Sequence, residues 1–245
     1  MRFFYHFGRY LFLMKNLFAK PESWVMYRRE ILRQMTDVGV GSLAIISIIS
    51  LFIGAVTTLL IAYQLTDPLI PITIVGAIVG ETTILALAPI ISSLVLAGKI
   101  GSNMASEIAT MRVTEQVDAM EVMGVNVRSF LITPKVIGAF FMIPALVIIA
   151  CFIGVFGGVM SGYLSDIISI DDFMLGAREY FKGYTVFVMV LKGFTYAFII
   201  ASISCYQGFY VRGGALEVGA ASTRAVVYSC ILILFADLLI SHLFL

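Results

Sequence analysis

Residues Val38 to Tyr63 read VGVGSLAIISIISLFIGAVTTLLIAY, an apolar run with no charged side chain. At about 1.5 Å of rise per residue, a helix of this length crosses roughly 30 Å of hydrocarbon. Unpaired backbone groups cost several kcal/mol in lipid, so a spanning segment is a helix or part of a closed barrel, whose strands alternate over about ten residues. This run does not alternate, and it is therefore a helix.

The same reading outward along the chain places spans at 38–64, 71–98, 136–164, 184–207 and 223–244. Hydrophobic residues make up 60% of the sequence, charged ones 13%, and mean hydropathy is +1.02. A soluble surface cannot be built from that composition, so the bilayer is the main solvent. A net charge of +1 offers nothing to nucleic acid. The expected fold class is all-α integral membrane: an N-terminal interfacial helix, five transmembrane helices and a short cytoplasmic helix between spans two and three.

Residues 1–37 carry seven of the sixteen Lys and Arg (Arg2, Arg9, Lys15, Lys20, Arg28, Arg29, Arg33), interleaved with Phe3, Phe4, Phe7, Phe12 and Trp24. A basic, aromatic-rich segment belongs in the membrane interface, which makes 1–37 an interfacial amphipathic segment and 38–245 the five-helix transmembrane domain. No uncharged stretch with a small-residue cleavage site precedes span one, so this segment is expected to stay in the mature chain. The 64–71 loop has no Lys or Arg, whereas the 99–135 loop has Lys99, Arg112, Arg128 and Lys135. The positive-inside rule then puts the N-terminus and the 99–135 loop in the cytoplasm and the C-terminus outside. In span three, Gly154, Gly158 and Gly162 recur every four residues and predict a smooth face, for packing within the chain in preference to a subunit interface.

Motifs of catalysis are missing. Lys99 in LAGKIGS lacks the glycine spacing of a phosphate-binding loop. His6 and His242 lie far apart on opposite expected sides, so neither a metal cluster nor HExxH can form. Val159 stands two before Ser161 where a nucleophile turn needs Gly, and Cys151, Cys205 and Cys230 sit in apolar runs as packing residues. The chain is expected to be no enzyme and to hold no cofactor or metal.

Two features remain that can carry function. RVTEQVDAMEVMG, Arg112 to Gly124, sets Val113, Val117, Met120 and Met123 on one side and Glu115, Asp118 and Glu121 on another, with Gly124 able to close the helix in a left-handed cap. An acidic polar face has no attraction for an anionic membrane, which favours docking on another protein. Glu81, Glu107, Lys192 and Asp237 lie in or beside spans, where a charge costs at least about 2.5 kcal/mol and must face the bundle, a cavity or a partner. Lys192 is expected to be functional or ion-paired, and Asp237 to make a packing contact.

The stretch LAGKIGSNMASEIATMRVTEQVDAMEVMGV with Pro134–Lys135, and the block CYQGFYVRGGALEVGAASTRAVVYSCILILFADLLI from Cys205 to Ile240, resemble MlaE-type permeases of ABC systems that move phospholipids or related hydrophobic molecules. The resemblance covers essentially the whole chain. It implies a permease homodimer in the bacterial inner membrane, two cytoplasmic ATPase subunits that hold the ATP and Mg, and a periplasmic MCE-domain protein. It also implies that Thr114, Glu115, Gln116, Asp118, Met120 and Glu121 couple to the ATPase, and that Leu59, Leu60, Tyr63, Glu107 and Lys192 line the phospholipid cavity. Relatives carry Arg-Glu-Leu-Gly-Pro where this chain has Leu85-Ala86-Leu87-Ala88-Pro89, a Gln at Leu60 and an Arg at Lys99, so its cavity is less polar than theirs. The alternative is an ion-coupled secondary carrier with Glu107 and Lys192 as relay groups, although five spans and no internal repeat disfavour it. A non-transporting scaffold would leave the intramembrane charges unexplained.

Overall fold

A computed structural model describes residues 2–15, 24–65 and 71–244. Its helices are α1 (Arg2–Lys15), α2 (Trp24–Gln64), α3 (Thr73–Val113), α4 (Gln116–Val122), α5 (Val127–Leu164), α6 (Ile170–Glu179), α7 (Gly183–Phe209) and α8 (Ala215–Phe244). Among the described residues there is no strand. Helices α2, α3, α5, α7 and α8 are long and apolar enough to cross a membrane, so the chain is a multi-pass, all-α membrane protein with a further N-terminal helix.

The helices outrun the expected spans. Both α2 and α3 have 41 residues, which at 1.5 Å per residue is about 61 Å, twice the hydrocarbon thickness. Helix α2 starts fourteen residues before the expected 38, through Arg28, Arg29 and Arg33, and passes residue 37 without a break. Of the expected 99–135 loop, 99–113 is helical and continuous with span two and 127–135 already belongs to α5. Charge ends a hydrophobic segment but not a helix, since Arg, Lys, Glu and Met are good helix formers. The expected 165–183 loop likewise contains α6. Ser169 caps it by accepting a hydrogen bond from the Asp172 amide at 3.1 Å, and Asp171 and Asp172 sit in its first turn where the helix dipole favours anions.

Two compact units form. The first comprises Met1–Gly41, Leu96–Ile143 and Thr195–Ala236, and the second Ser42–Val95, Pro144–Phe194 and Asp237–Leu245. In the first, α1 rests on α7. Leu13 is buried, the Tyr10 hydroxyl donates to Ser202 Oγ at 2.9 Å, and the Arg9 guanidinium stands 3.7 Å from the Tyr210 ring centroid. Burial pushes the Tyr10 phenol above its usual range, which keeps it a neutral donor. Phe4, Leu11 and Phe12 are exposed, an apolar face suited to the membrane interface.

In the second unit the small residues of α5 meet α2. A Cβ on Gly54 would lie 1.8 Å from the Gly154 carbonyl oxygen, so the two backbones touch there. The glycine face of span three is thus an internal packing face, as the four-residue spacing suggests. Phe173 of α6 is fully buried among Val75, Val79 and Ile168. Gly176 carries the same approach into α6, where a Cβ would fall 1.9 Å from the Thr73 carbonyl.

Candidate functional site

Helix α3 contains two π-helical turns, Thr83–Leu87 and Ala97–Gly101. Such turns hold an extra residue and release backbone carbonyls, and they are frequent at functional positions. Pro89 has a direct part in the first, because without an N–H it cannot donate to the carbonyl four residues earlier, that of Leu85. Lys192 of α7 supplies the missing donor, with Nζ 2.9 Å from the Leu85 oxygen.

The same ammonium lies 2.7 Å from Asp237 Oδ1 and donates to Ser241 Oγ at 2.9 Å, both on α8. Its three protons therefore have three protein acceptors, and Lys192 is only 1% exposed. A lysine so far from water is tolerable because it is paired and fully hydrogen-bonded. The result is a polar tie among α3, α7 and α8 within the second unit. Asp237 is the ion partner and not merely a packing contact.

Glu107, in the first unit, is joined to another cation. Its Oε2 lies 2.5 Å from Lys135 Nζ, and the two side chains are 46% and 3% exposed. Helix α3 thereby binds the start of α5, and Glu107 keeps one side open. Lys99, within the second π turn, donates through Nζ to the Gly41 carbonyl of α2. Of the residues expected at the cavity, Leu59, Leu60 and Tyr63 stand exposed on α2 in the second unit together with buried Lys192, and Glu107 falls in the first.

Helix α4 is a short, separately oriented element. Glu115, its N-terminal neighbour, has φ +60°, and Gly124 beyond its other end has φ +83°, so both flanks turn through the left-handed region. The Val125 amide donates to the Met120 carbonyl at 3.1 Å, the reach of a closing C-terminal cap. Val117 is buried and Asp118 pairs with Arg112 at 2.8 Å, which pins the helix to the end of α3. Thr114, Glu115, Gln116 and Glu121 are exposed and Met120 is half-buried. Met123 is 71% and Val122 90% exposed, so Met123 does not join the buried face and the outermost surface is apolar as well as acidic.

Three partners here were beyond the sequence reading. Lys135, Ser241 and the Leu85 carbonyl become visible only when helices meet; Pro89 within an apolar span was the one readable sign of a carbonyl needing a donor. Among the described residues no three His, Cys, Asp or Glu side chains converge as metal ligands would.

The chain matches the family model described as Permease MlaE over residues 31–243. It is 35% identical over 238 residues to a probable ABC transporter permease protein of Rickettsia prowazekii, covering 97% of this chain and 90% of that one. A probable ABC transporter permease protein of Synechocystis is 34% identical over 237 residues, covering 95% and 88%. The chloroplastic protein TRIGALACTOSYLDIACYLGLYCEROL 1 of Arabidopsis thaliana is 33% identical over 219 residues, covering 88% of this chain and 61% of its own length. With five membrane-crossing helices and a family match from Ile31 to Leu243, the chain belongs to the MlaE permease family and is an ABC transporter permease subunit.

Proposed function

We propose that this permease moves phospholipid or a related hydrophobic molecule between the inner membrane and the periplasm or outer membrane. Two copies would work with two cytoplasmic ATPase subunits, which hold ATP and Mg, and with a periplasmic MCE-domain protein. In this reading the N-terminus and α4 are cytoplasmic and the chain itself carries out no hydrolysis. The lipid assignment is supported by the name of the Arabidopsis relative, which contains that of a glycolipid, and by the apolar positions Leu60 and Ala86.

The observation that carries the reading is the form of α4. A short helix pinned by Val117 and the Arg112–Asp118 pair, with Glu115, Glu121, Val122 and Met123 turned outward, is a preformed knob for a protein groove. Asp118 is already used internally, so the docking contacts fall to the other four. Replacing Glu121, Val122 and Met123 with Ser should release the ATPase during purification while membrane insertion stays normal. Unchanged co-purification and ATP turnover would refute the assignment. For the cargo, Leu60→Gln with Ala86→Glu should weaken retention of co-purified lipid or narrow its headgroup range, read by mass spectrometry; a wild-type protein already strict for one headgroup would overturn selection by apolar volume.

A further inference from the structure

In the second unit α3, α5 and α6 border an open groove of about 310 Å³, a volume at the lower end of small-molecule sites. Its walls include Ile84 of α3, Val155 of α5 and Met174 of α6. Three exposed charged side chains line it as well: Glu81 of α3, Arg178 near the end of α6 and Lys182 just before α7. Among the described residues none of the three is ion-paired.

That combination is costly unless something fills it. Glu81 follows the helix start at Thr73 by eight residues, about 12 Å along the axis. A carboxylate in a membrane-crossing helix has to face a cation, a polar cavity or a partner. Arg178 and Lys182 in turn suit a phosphate, which takes charge-assisted hydrogen bonds from both. Arg178 also borders a shallow depression with Asp171 and Glu179, so the surroundings would repel a ligand that is only anionic. The required ligand carries an acyl chain, a phosphate and a hydrogen-bonding ammonium together.

We propose that this groove binds one zwitterionic aminophospholipid of the surrounding bilayer. An acyl chain lies along Ile84, Val155 and Met174, the phosphate meets Arg178 and Lys182, and the primary ammonium meets Glu81. Burial of successive CH₂ groups lets the acyl chain supply the affinity, and the rim supplies the choice of headgroup. The site does not rest on the transport reading, since a bilayer lipid would occupy it whatever the complex carries.

The test uses the full chain in nanodiscs of equal parts phosphatidylethanolamine, phosphatidylcholine and phosphatidylglycerol, followed by mild delipidation and native mass spectrometry. Phosphatidylethanolamine should be retained in preference to the other two. Glu81→Gln should erase its preference over phosphatidylcholine, roughly a fivefold change for a partly exposed ion pair. Arg178→Gln with Lys182→Gln should loosen both lipids alike, because both carry the phosphate. On the wild type, retention should fall stepwise as the headgroup amine is methylated, a readout that needs no variant to fold. A benzophenone side chain placed at Phe152, which lines the groove and is 73% exposed, should form an adduct with lipid. Equal retention of all three lipids, a preference unchanged by Glu81→Gln, or an adduct with a second copy of the chain would overturn the proposal.

Discussion

Replacing Lys192 with Met should unfold the second unit far more readily than its conservative volume suggests. The substitution removes three interactions at once: the ion pair with Asp237 at 2.7 Å and the bonds to Ser241 and the Leu85 carbonyl at 2.9 Å. Asp237 is 18% exposed and loses its ammonium partner; breaking a buried pair from one side costs about 3–5 kcal/mol. The Leu85 carbonyl, already denied a donor by Pro89, becomes an unsatisfied acceptor, a penalty of about 1–3 kcal/mol by itself. In the double variant Lys192→Met with Asp237→Leu the stranded charge is gone and the carbonyl penalty is the main loss, about 1–3 kcal/mol. Thermal unfolding in one detergent should therefore rank wild type first, the double variant second and Lys192→Met last. A loss of about 3 kcal/mol corresponds to roughly 6–12 °C in Tm for a chain of this size. A single variant as stable as wild type, or a double variant less stable than Lys192→Met alone, would refute the structural role of the ammonium and reopen a mobile, relay-like one.

Glu107→Leu should destabilise more than Lys135→Met, because the first strands a cation that is 3% exposed and the second leaves a carboxylate that is 46% exposed and can be hydrated; the order of Tm values in detergent checks this. Gly54→Ala should cost at least about 2 kcal/mol and lower the yield of monodisperse protein, since its Cβ would meet the Gly154 carbonyl. Gly124→Ala has open space around it, so its cost is that of φ +83° alone, about 1–2 kcal/mol, and Gly124→Asn should recover part of it by tolerating that backbone; thermal stability and hydrogen exchange over 116–126 read both.

The five crossing helices were legible because apolar runs of span length have few other uses. Their ends were not: hydropathy marks the hydrocarbon boundary, whereas Arg28, Arg33, Met111 and Arg112 continue the helix into water at little cost. Helix α6 was missed although Ser169 with Asp172 three residues on is a capping pattern and Phe173, Gly176 and Ala177 keep helical spacing. The glycine face and the Gly124 cap were readable from local geometry alone. At the candidate site the sequence showed which charges had to be satisfied but not by whom. Lys192 is 45 positions from Asp237 and 107 from Leu85, and only tertiary packing supplies that match.

The two π turns of α3 also make it a helix with three phases. One extra residue in a 3.6-residue repeat offsets the following face by about 100°, so Ser102–Val113 is not in phase with Ala88–Leu96, nor that segment with Thr73–Thr82. A single-residue deletion within Ala97–Gly101 would restore ordinary winding and shift the helical phase of Glu107 by about 100°, with only a small change in hydropathy. Insertions and deletions at these turns therefore act as rotations, and a variant that looks silent in a hydropathy plot can reassign every contact that the last third of α3 makes.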